Sequence, residues 1–430
     1  MGGLAPTRAF VVDYGVRHNY ILSHARSGSQ DEPQAKRGPV EFRDTVAEAA
    51  FRSSLRAWFR SNRSNGEAWD LNVPADVVAA RAWSRSLHDA GYAGLTWPVE
   101  YGGRGLDPSY QAIFYDEMAA ERAPMHVGVI GLNMAGPTII AWGTAEQKHR
   151  FLAPLLAAEE IWCQGFSEPG SGSDLAGATT RAVLDGDHWV INGQKVWSSH
   201  AHIADWCILL VRTDTTVPKH EGLTFLLVDM HSAGIEVRPL PQLTGEPEFN
   251  EIFFTDVRIP RESMLGRPGD GWNVAMTTLM HERGTLGFLF AAELQSNLSR
   301  LVEFVAEPAA DGSNPAADPT VRAEVAREWV AVQALKFTNY RSLSRLLETG
   351  IPGPESSISK IAWAESNQRM TTLATRLQGM AGGLNGESAP WSGFWQQQQL
   401  RSRGNSIEGG TSEILRNIVA ERVLNLPRAR

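Results

Sequence analysis

Residues 163–177 read CQGFSEPGSGSDLAG, a short apolar run that ends in a loop rich in glycine and serine. This pattern predicts a strand that leads into a polar cradle. Glycine lets the backbone approach a ligand or adopt positive φ, and the hydroxyls of Ser167, Ser171 and Ser173 add hydrogen-bond donors. The polar edge of a ring or a pyrophosphate suits such donors. Ordinary turns share this composition, so the interpretation depends on what the rest of the chain supplies.

The composition indicates a globular, acidic enzyme. The 430 residues are 43% hydrophobic and 20% charged, which suffices for two or three domains. A net charge of -8 argues against a nucleic-acid partner, because no basic surface is available to displace counterions. Cys163 and Cys207 both lie in apolar, strand-like sequence, so we expect buried, reduced thiols, no metal site and a cytoplasmic location. No apolar run is long enough to predict a membrane span.

The periodicity of apolar residues divides the chain into four parts. Residues 1–39 mix glycine, proline, serine and both charge signs, which predicts a flexible N-terminal extension. Residues 40–160 show helical spacing, and residues 161–270 show short alternating strands without intervening helices. Residues 271–430 are helical again. The predicted fold is therefore α+β and multidomain: a helical N-terminal domain, a central antiparallel β-barrel or sandwich, and a C-terminal four-helix bundle.

Local signals place some element boundaries. Pro74 and Thr144 are expected to open helices, as a first-turn proline and a capping threonine. The dipeptides Asp185-Gly186 and Asn192-Gly193 predict two tight hairpins. The segment 306–320, rich in alanine, proline and aspartate, predicts a flexible link between two long helices.

Five motifs in order resemble the acyl-CoA dehydrogenases over roughly residues 40–430. They are WPVEYGG at 97–103, SEPGSGSD at 167–174, GQKVWSS at 193–199, NEIFFTDVRIP at 250–260 and GGTSEILRNIVAERVL at 409–424. The resemblance implies FAD as cofactor, an acyl-CoA substrate and an electron-transfer flavoprotein as the acceptor of electrons. It also implies assembly as homodimers or homotetramers.

The resemblance also implies roles for individual residues. Trp197 matches the tryptophan that packs against the isoalloxazine, Ser199 the hydroxyl near its reactive nitrogen, and Ser167 the partner of its pyrimidine end. Ser173 matches a contact of the thioester, and Arg283 matches an arginine near the CoA. The positions matching the family's cofactor contacts are Phe166, Ser167, Gly172, Ser173, Trp197, Ser199, Gln378, Gly382, Gly383, Thr411 and Glu413.

Two glutamates are candidates for the base that removes the substrate's α-proton. Many family members carry this base at the position of Gly409, where glycine cannot serve. A second subgroup places it on the first helix of the C-terminal bundle, and Glu282 matches that position. Helical spacing puts Glu282 within an apolar stripe, where desolvation would make its carboxylate a stronger proton acceptor. Glu408, adjacent to the vacant position, is the rival.

Other departures from the family pattern leave alternatives open. The segment 306–320 replaces an RxxFG motif whose side chains reach the FAD of a neighbouring subunit, and the QxxGG-like motif at Gln378 has one residue too many. The main prediction is α,β-dehydrogenation of an acyl-CoA to a trans-2-enoyl-CoA. A non-catalytic, FAD-binding subunit of a hetero-oligomer, or an oxidase or flavin monooxygenase on the same fold, is the alternative.

Overall fold

The computed structural model describes residues 43–62, 69–308, 312, 314–349, 353–354 and 356–427, without the side chains of 283–286. The predicted N-terminal extension, residues 1–39, lies outside this part of the chain. Within it, no helix is long and apolar enough to cross a membrane.

Helices form the N-terminal domain, as predicted. Pro74 occupies the first turn of its helix, and Thr144 accepts a hydrogen bond from the backbone N–H of Gln147. A π-helical turn, Gly131–Ala135, precedes the fourth helix. The helices are α1 (Val46–Ser61), α2 (Pro74–Asp89), α3 (Pro108–Ala120), α4 (Gly136–Trp142) and α5 (Ala145–Leu156).

An eight-stranded sheet forms the middle domain, with the strand order β6-β7-β3-β2-β4-β5-β8 and β1 beside β4. Its strands are β1 (Trp162–Gly165), β2 (Arg181–Asp185), β3 (His188–Ser199), β4 (Trp206–Arg212), β5 (Leu223–Asp229), β6 (Ile235–Leu240), β7 (Phe249–Pro260) and β8 (Met264–Leu265). Most pairs are antiparallel, as predicted, but β1 and β2 both pair with β4 in parallel.

The two hairpin predictions have different outcomes. Asp185-Gly186 does lie at a tight turn, between β2 and β3, where Gly186 has φ 59°. The prediction for Asn192-Gly193 is wrong, because β3 continues through it. The Asn192 side chain instead donates to Asp256 of β7 at 2.9 Å, and a bulge at Gly193 absorbs its φ of 148°. The long partner strand β7 thus overrides the local turn signal.

The C-terminal bundle contains three long helices and a pair of shorter ones. The predicted link of residues 306–320 does separate the first two helices. Leu294, Leu298, Leu301 and Trp363 are among the side chains that fill the core between them. The helices are α6 (Gly271–Ala306), α7 (Pro319–Thr349), α8 (Ser356–Leu377), α9 (Phe394–Ser402) and α10 (Ser412–Arg422). The fourth position of the bundle is therefore shared by α9 and α10.

Candidate active site

A buried ion pair joins the loop after β1 to strand β3. Lys195 is fully buried, and its Nζ donates to Glu168 Oε1 at 2.8 Å and to the Phe166 carbonyl at 3.0 Å. The backbone N–H of Val196 also donates to the Ser167 carbonyl at 2.9 Å. These bonds bring the predicted cofactor residues Phe166 and Ser167 beside the strand that carries Trp197.

The Glu168 carboxylate has a complete set of partners. The backbone N–H groups of Thr179 and Thr180 donate to it at 2.7 and 2.8 Å, and the Thr179 hydroxyl donates at 2.7 Å. Burial alone would raise the pKa of Glu168, but the charge of Lys195 and these bonds hold it down at about 2. The loop is therefore fixed to the sheet by an ionised pair.

Trp197 is the most exposed large aromatic side chain of the described β domain, with 60% of its surface accessible. It lies in a second bulge of β3, between Lys195 and Ser198, and has φ 61°. A non-glycine residue in this conformation is strained, and such strain clusters at functional sites. Its indole meets Phe249 edge-on, with ring centroids 5.9 Å apart, so one face of the indole is available to a flat ligand.

The glycines of the loop at residues 163–177 leave open space beside the loop backbone. A Cβ added at Gly170 or Gly172 would meet no atom within 4 Å, and neither residue has positive φ. These two glycines therefore allow a ligand to approach the backbone. They do not supply the positive φ that was the alternative expectation. Gly172 and Ser173 are exposed, whereas Ser199 is part-buried at the end of β3.

The two alternative positions for the base meet in space. A Cβ built on Gly409 would lie 3.4 Å from Oε1 of Glu282, although the residues belong to distant parts of the chain. Gly409 has φ 60°, a conformation that favours glycine. The part-buried Glu282 of α6 thus holds its carboxylate beside the position where other family members are expected to carry the base.

Glu408 has a different environment. Both of its carboxylate oxygens accept from the Arg401 guanidinium, at 3.1 and 2.9 Å, and Oε1 also accepts from Asn405 at 2.7 Å. Asn405 in turn accepts from Asn367, which accepts from Asn297 of α6. The Glu408 carboxylate is therefore held in place by a bidentate arginine and an amide.

Lys360 of α8 ties the same region together. Its Nζ donates to the Gly410 carbonyl at 2.8 Å. Burial lowers the pKa of Lys360 to about 8, against the opposing effect of the Glu408, Glu282 and Glu413 carboxylates. The loop that presents Gly409 is therefore anchored by a cation that also lies close to Glu282.

The remaining predicted residues occupy two regions. Thr411 caps α10 by accepting from the Ile414 N–H at 3.2 Å, and Glu413 lies in the first turn of that helix. Gln378 accepts from Gln396 at 2.6 Å and precedes the 3-10 turn that contains Gly382 and Gly383. The backbone of Arg283 belongs to α6, and its side chain is outside the described part of the structure.

The sequence analysis did not assign roles to several residues that shape the site. Lys195 lies inside the GQKVWSS motif. A lysine within a strand of alternating apolar residues could have indicated a buried cation. No sequence pattern indicated a role for Arg401 or Lys360, because charged residues in helical sequence are typical of a solvent-exposed helix face. The Arg401 guanidinium also lies over the Phe249 ring, 5.5 Å from the ring centroid. This contact connects the bundle to the part of the sheet that carries Trp197.

Comparison with known proteins identifies the family. Family models for the acyl-CoA dehydrogenase N-terminal, middle and C-terminal domains match residues 45–159, 163–257 and 269–424. Acyl-CoA dehydrogenase IpdE1 of Mycobacterium tuberculosis is 42% identical over 391 residues, with 88% of this chain and 97% of the relative covered.

Solved structures show the same fold. A chain of the ChsE4-ChsE5 complex from Mycobacterium tuberculosis is 30% identical with a TM-score of 0.78, covering 91% of this chain and 100% of that chain. The Tcur3481-Tcur3483 steroid acyl-CoA dehydrogenase is 29% identical with a TM-score of 0.78 and the same coverage, 91% and 100%. The chain therefore belongs to the acyl-CoA dehydrogenase family and is an oxidoreductase that acts on acyl-CoA.

Proposed function

We propose that this protein introduces a trans α,β double bond into an acyl-CoA, with Glu282 as the base that removes the α-proton. The observation that carries the proposal is the position of the Glu282 carboxylate, 3.4 Å from a Cβ built on Gly409. The competing carboxylate, Glu408, is engaged by Arg401 and Asn405. A base must reach the substrate's proton, and Glu282 meets this requirement better.

The residues present fit FAD, the cofactor of the family. The strained, exposed Trp197 offers a flat surface, and the open space before Gly170 and Gly172 admits a ligand to the loop backbone. Phe166, Ser167 and Ser199 would hold the ring system, and Thr411 and Glu413 would lie near the cofactor at the N-terminal end of α10. When bound there, FAD supplies the acceptor for the hydride that leaves the β-carbon.

Side chains of the protein itself perform the remaining steps. Glu282 takes the α-proton on its carboxylate, Lys360 positions the Gly409 loop beside it, and Ser173 contacts the thioester. Arg401 holds the Glu408 carboxylate in place through two hydrogen bonds. Arg283 is proposed to lie near the CoA.

We propose that the acyl group is large and contains rings, because a structural relative of nearly full-length coverage is named a steroid acyl-CoA dehydrogenase. Anaerobic mixing with a panel of acyl-CoAs tests both parts of the proposal. Bleaching of the flavin by ring-containing thioesters, with recovery of the enoyl-CoA product, is the expected result. Absence of bleaching by every acyl-CoA would refute the dehydrogenation itself.

An oxygen electrode distinguishes the dehydrogenase from an oxidase or monooxygenase. We propose an electron-transfer flavoprotein as the acceptor, so turnover in air without added acceptor is expected to consume little oxygen. Rapid oxygen consumption coupled to turnover would favour the oxidase or monooxygenase instead.

We further propose that the chain assembles with a second acyl-CoA dehydrogenase chain rather than only with copies of itself. The similar solved structures include one named as a complex of two proteins, ChsE4-ChsE5. Apolar side chains are also exposed on the bundle, with Trp329 54%, Phe337 51% and Met380 97% accessible. Light scattering of the isolated chain and of co-expressed pairs tests this assembly. A stable, FAD-saturated homodimer or homotetramer would contradict the need for a second chain.

Replacing Trp197 with alanine is expected to weaken FAD binding about tenfold, because a ring-stacking surface contributes on the order of 1 kcal/mol. The unfolding temperature of the apoprotein should change little, since the indole packs against little besides Phe249. Fluorescence titration with FAD measures the affinity. Val78→Ala, which trims an exposed apolar side chain of α2, is the control and should leave FAD affinity unchanged.

A further inference from the structure

A group of polar side chains lies where α3, the π-helical turn and α6 meet. Tyr115 of α3 shares a core cluster with Leu289 and Ala292 of α6. Asn133, within the π-helical turn, donates to the Tyr115 hydroxyl at 3.2 Å. Such π-helical turns are rare and recur at functional sites. Burial raises the pKa of the Tyr115 hydroxyl, and Glu293 of α6 lies close enough to Tyr115 for its charge to raise that pKa further.

Glu293 lies on the same face of α6 as Glu282. The two are separated by three turns of helix, so their Cα atoms are about 16 Å apart along one side of the helix. Glu293 is close enough to Glu408 for that charge to affect it, and Glu408 adjoins Gly409. The polar group therefore lies further along the side of α6 that presents the proposed base.

The Glu293 carboxyl group is enclosed by protein without a hydrogen-bond partner among the described residues. Burial, and next the charge of Glu408, raise its pKa to about 7, with Glu248 acting in the same direction and Arg401 against it. Its side chain nevertheless remains part-exposed. An accessible carboxyl group without a partner among the described residues is open to a ligand.

A plain alkyl chain would leave this carboxyl group unsatisfied. Burying a polar group without a partner costs on the order of 1–3 kcal/mol, and a ligand oxygen would restore the missing hydrogen bond. Sites built to bond a substrate oxygen discriminate strongly against analogues that lack it, because their own buried groups are then left unpaired.

We infer that Glu293 and Tyr115 form a recognition site for a hydroxyl or carbonyl oxygen on the acyl group, remote from the thioester. This inference rests on the proposed dehydrogenation and narrows its substrates to oxygenated acyl-CoAs. Glu293 donates from its protonated carboxyl group to a carbonyl, or accepts from a hydroxyl, while the Tyr115 hydroxyl, which already accepts from Asn133, is free to donate. Both residues bind substrate and take no part in the proton abstraction.

Matched thioesters test the inference. We compare kcat/KM for cyclohexylpropanoyl-CoA with its ring-keto derivative, and for decanoyl-CoA with its ω-hydroxy derivative, using the FAD-loaded enzyme. The wild-type protein should prefer at least one oxygenated member by about tenfold or more. Glu293→Leu should lower that preference by about 10- to 100-fold, while Glu303→Leu, at the surface of the same helix, should leave it unchanged.

Tyr115→Phe provides a second variant in case Glu293→Leu does not fold, and it should lower the same ratio several-fold. Equal kcat/KM for each matched pair in the wild-type protein would overturn the inference. So would a preference that neither substitution alters. Failure of every thioester to bleach the flavin would instead refute the proposed dehydrogenation, so the two failures are distinguishable.

Discussion

Glu282→Gln is expected to lower the rate of flavin bleaching by an acyl-CoA about 10²- to 10⁴-fold, the range associated with loss of a positioned base. The amide keeps the size of the side chain but cannot accept the α-proton. FAD content and the unfolding temperature should be close to those of the wild-type protein, because the described contacts that hold the cofactor wall do not involve Glu282. Stopped-flow absorbance under anaerobic conditions measures the rate.

Glu408→Gln is the matched control for this substitution. It removes the same charge one residue from Gly409 but should reduce the bleaching rate much less than Glu282→Gln. Some loss of stability is expected, since Arg401 loses one of its two carboxylate partners and retains Glu248. A larger kinetic loss in Glu408→Gln than in Glu282→Gln would identify Glu408 as the base.

A double variant tests the geometry more directly. Because a Cβ on Gly409 lies 3.4 Å from Oε1 of Glu282, Glu282→Gln combined with Gly409→Glu should restore part of the lost rate. Restoration is expected to be incomplete, since Gly409 has φ 60° and a side chain there is strained by about 1 kcal/mol. Absence of any recovery in a folded, FAD-bound double variant would contradict the shared position of the two bases.

Lys195→Met is expected to lower the free energy of unfolding by about 3–5 kcal/mol, because it leaves the buried Glu168 carboxylate without its cation. Lys195 is 0% exposed and Glu168 is 6% exposed, so water does not replace the lost partner. The loop of residues 163–177 should loosen with it, and FAD affinity should fall. Denaturant unfolding of the apoprotein measures the stability.

Lys219→Met provides the control for a lost ion pair. Lys219 binds Asp174 on the same loop, but the two side chains are 52% and 65% exposed, so the change should cost under about 1 kcal/mol. Equal losses in the two variants would contradict the importance of burial.

Acid unfolding gives an independent check of the Lys195–Glu168 pair. The pKa of Glu168 in the folded protein, about 2, lies below its ordinary value of 4.5, so the folded state binds this proton more weakly than the unfolded state. The stabilisation is therefore complete above about pH 5 and is lost as the pH falls towards 2. Lys195→Met should reduce this part of the pH dependence, because the folded carboxyl group then loses the charge of Lys195 and keeps only the hydrogen bonds from Thr179 and Thr180 to lower its pKa.

Much of the fold is predictable from residues that act locally. Pro74 and Thr144 begin helices, and Asp185-Gly186 forms a turn, because each preference operates over a few residues. Asn192-Gly193 shows where such reasoning fails. The pairing of β3 with β7, and the bond from Asn192 to Asp256, outweigh the turn preference of the dipeptide.

The candidate site was predictable to the extent that short motifs carry it. Ser167 and Trp197 were expected to line one side of the flavin site. In the structure, hydrogen bonds from Val196 and Lys195 join the loop that carries Ser167 to the strand that carries Trp197. The convergence of Glu282 with Gly409 depends on segments far apart in the chain, whereas Arg401 and Glu408 lie seven residues apart and meet across a 3-10 turn. The first relation has no local signal, because it requires α6 to pack beside the loop that precedes α10.

The family, the order of the helical and β domains, and the candidate glutamates for the base can all be inferred from the amino-acid sequence. These follow from periodicity and from motifs whose residues lie close together in the chain. The ion pair of Glu168 with Lys195, which holds the loop of residues 163–177, and the position of Glu282 beside Gly409 become visible only in the folded protein. The physical reason is that the chemistry of a carboxylate depends on its neighbours in space, and packing brings those neighbours from distant parts of the chain.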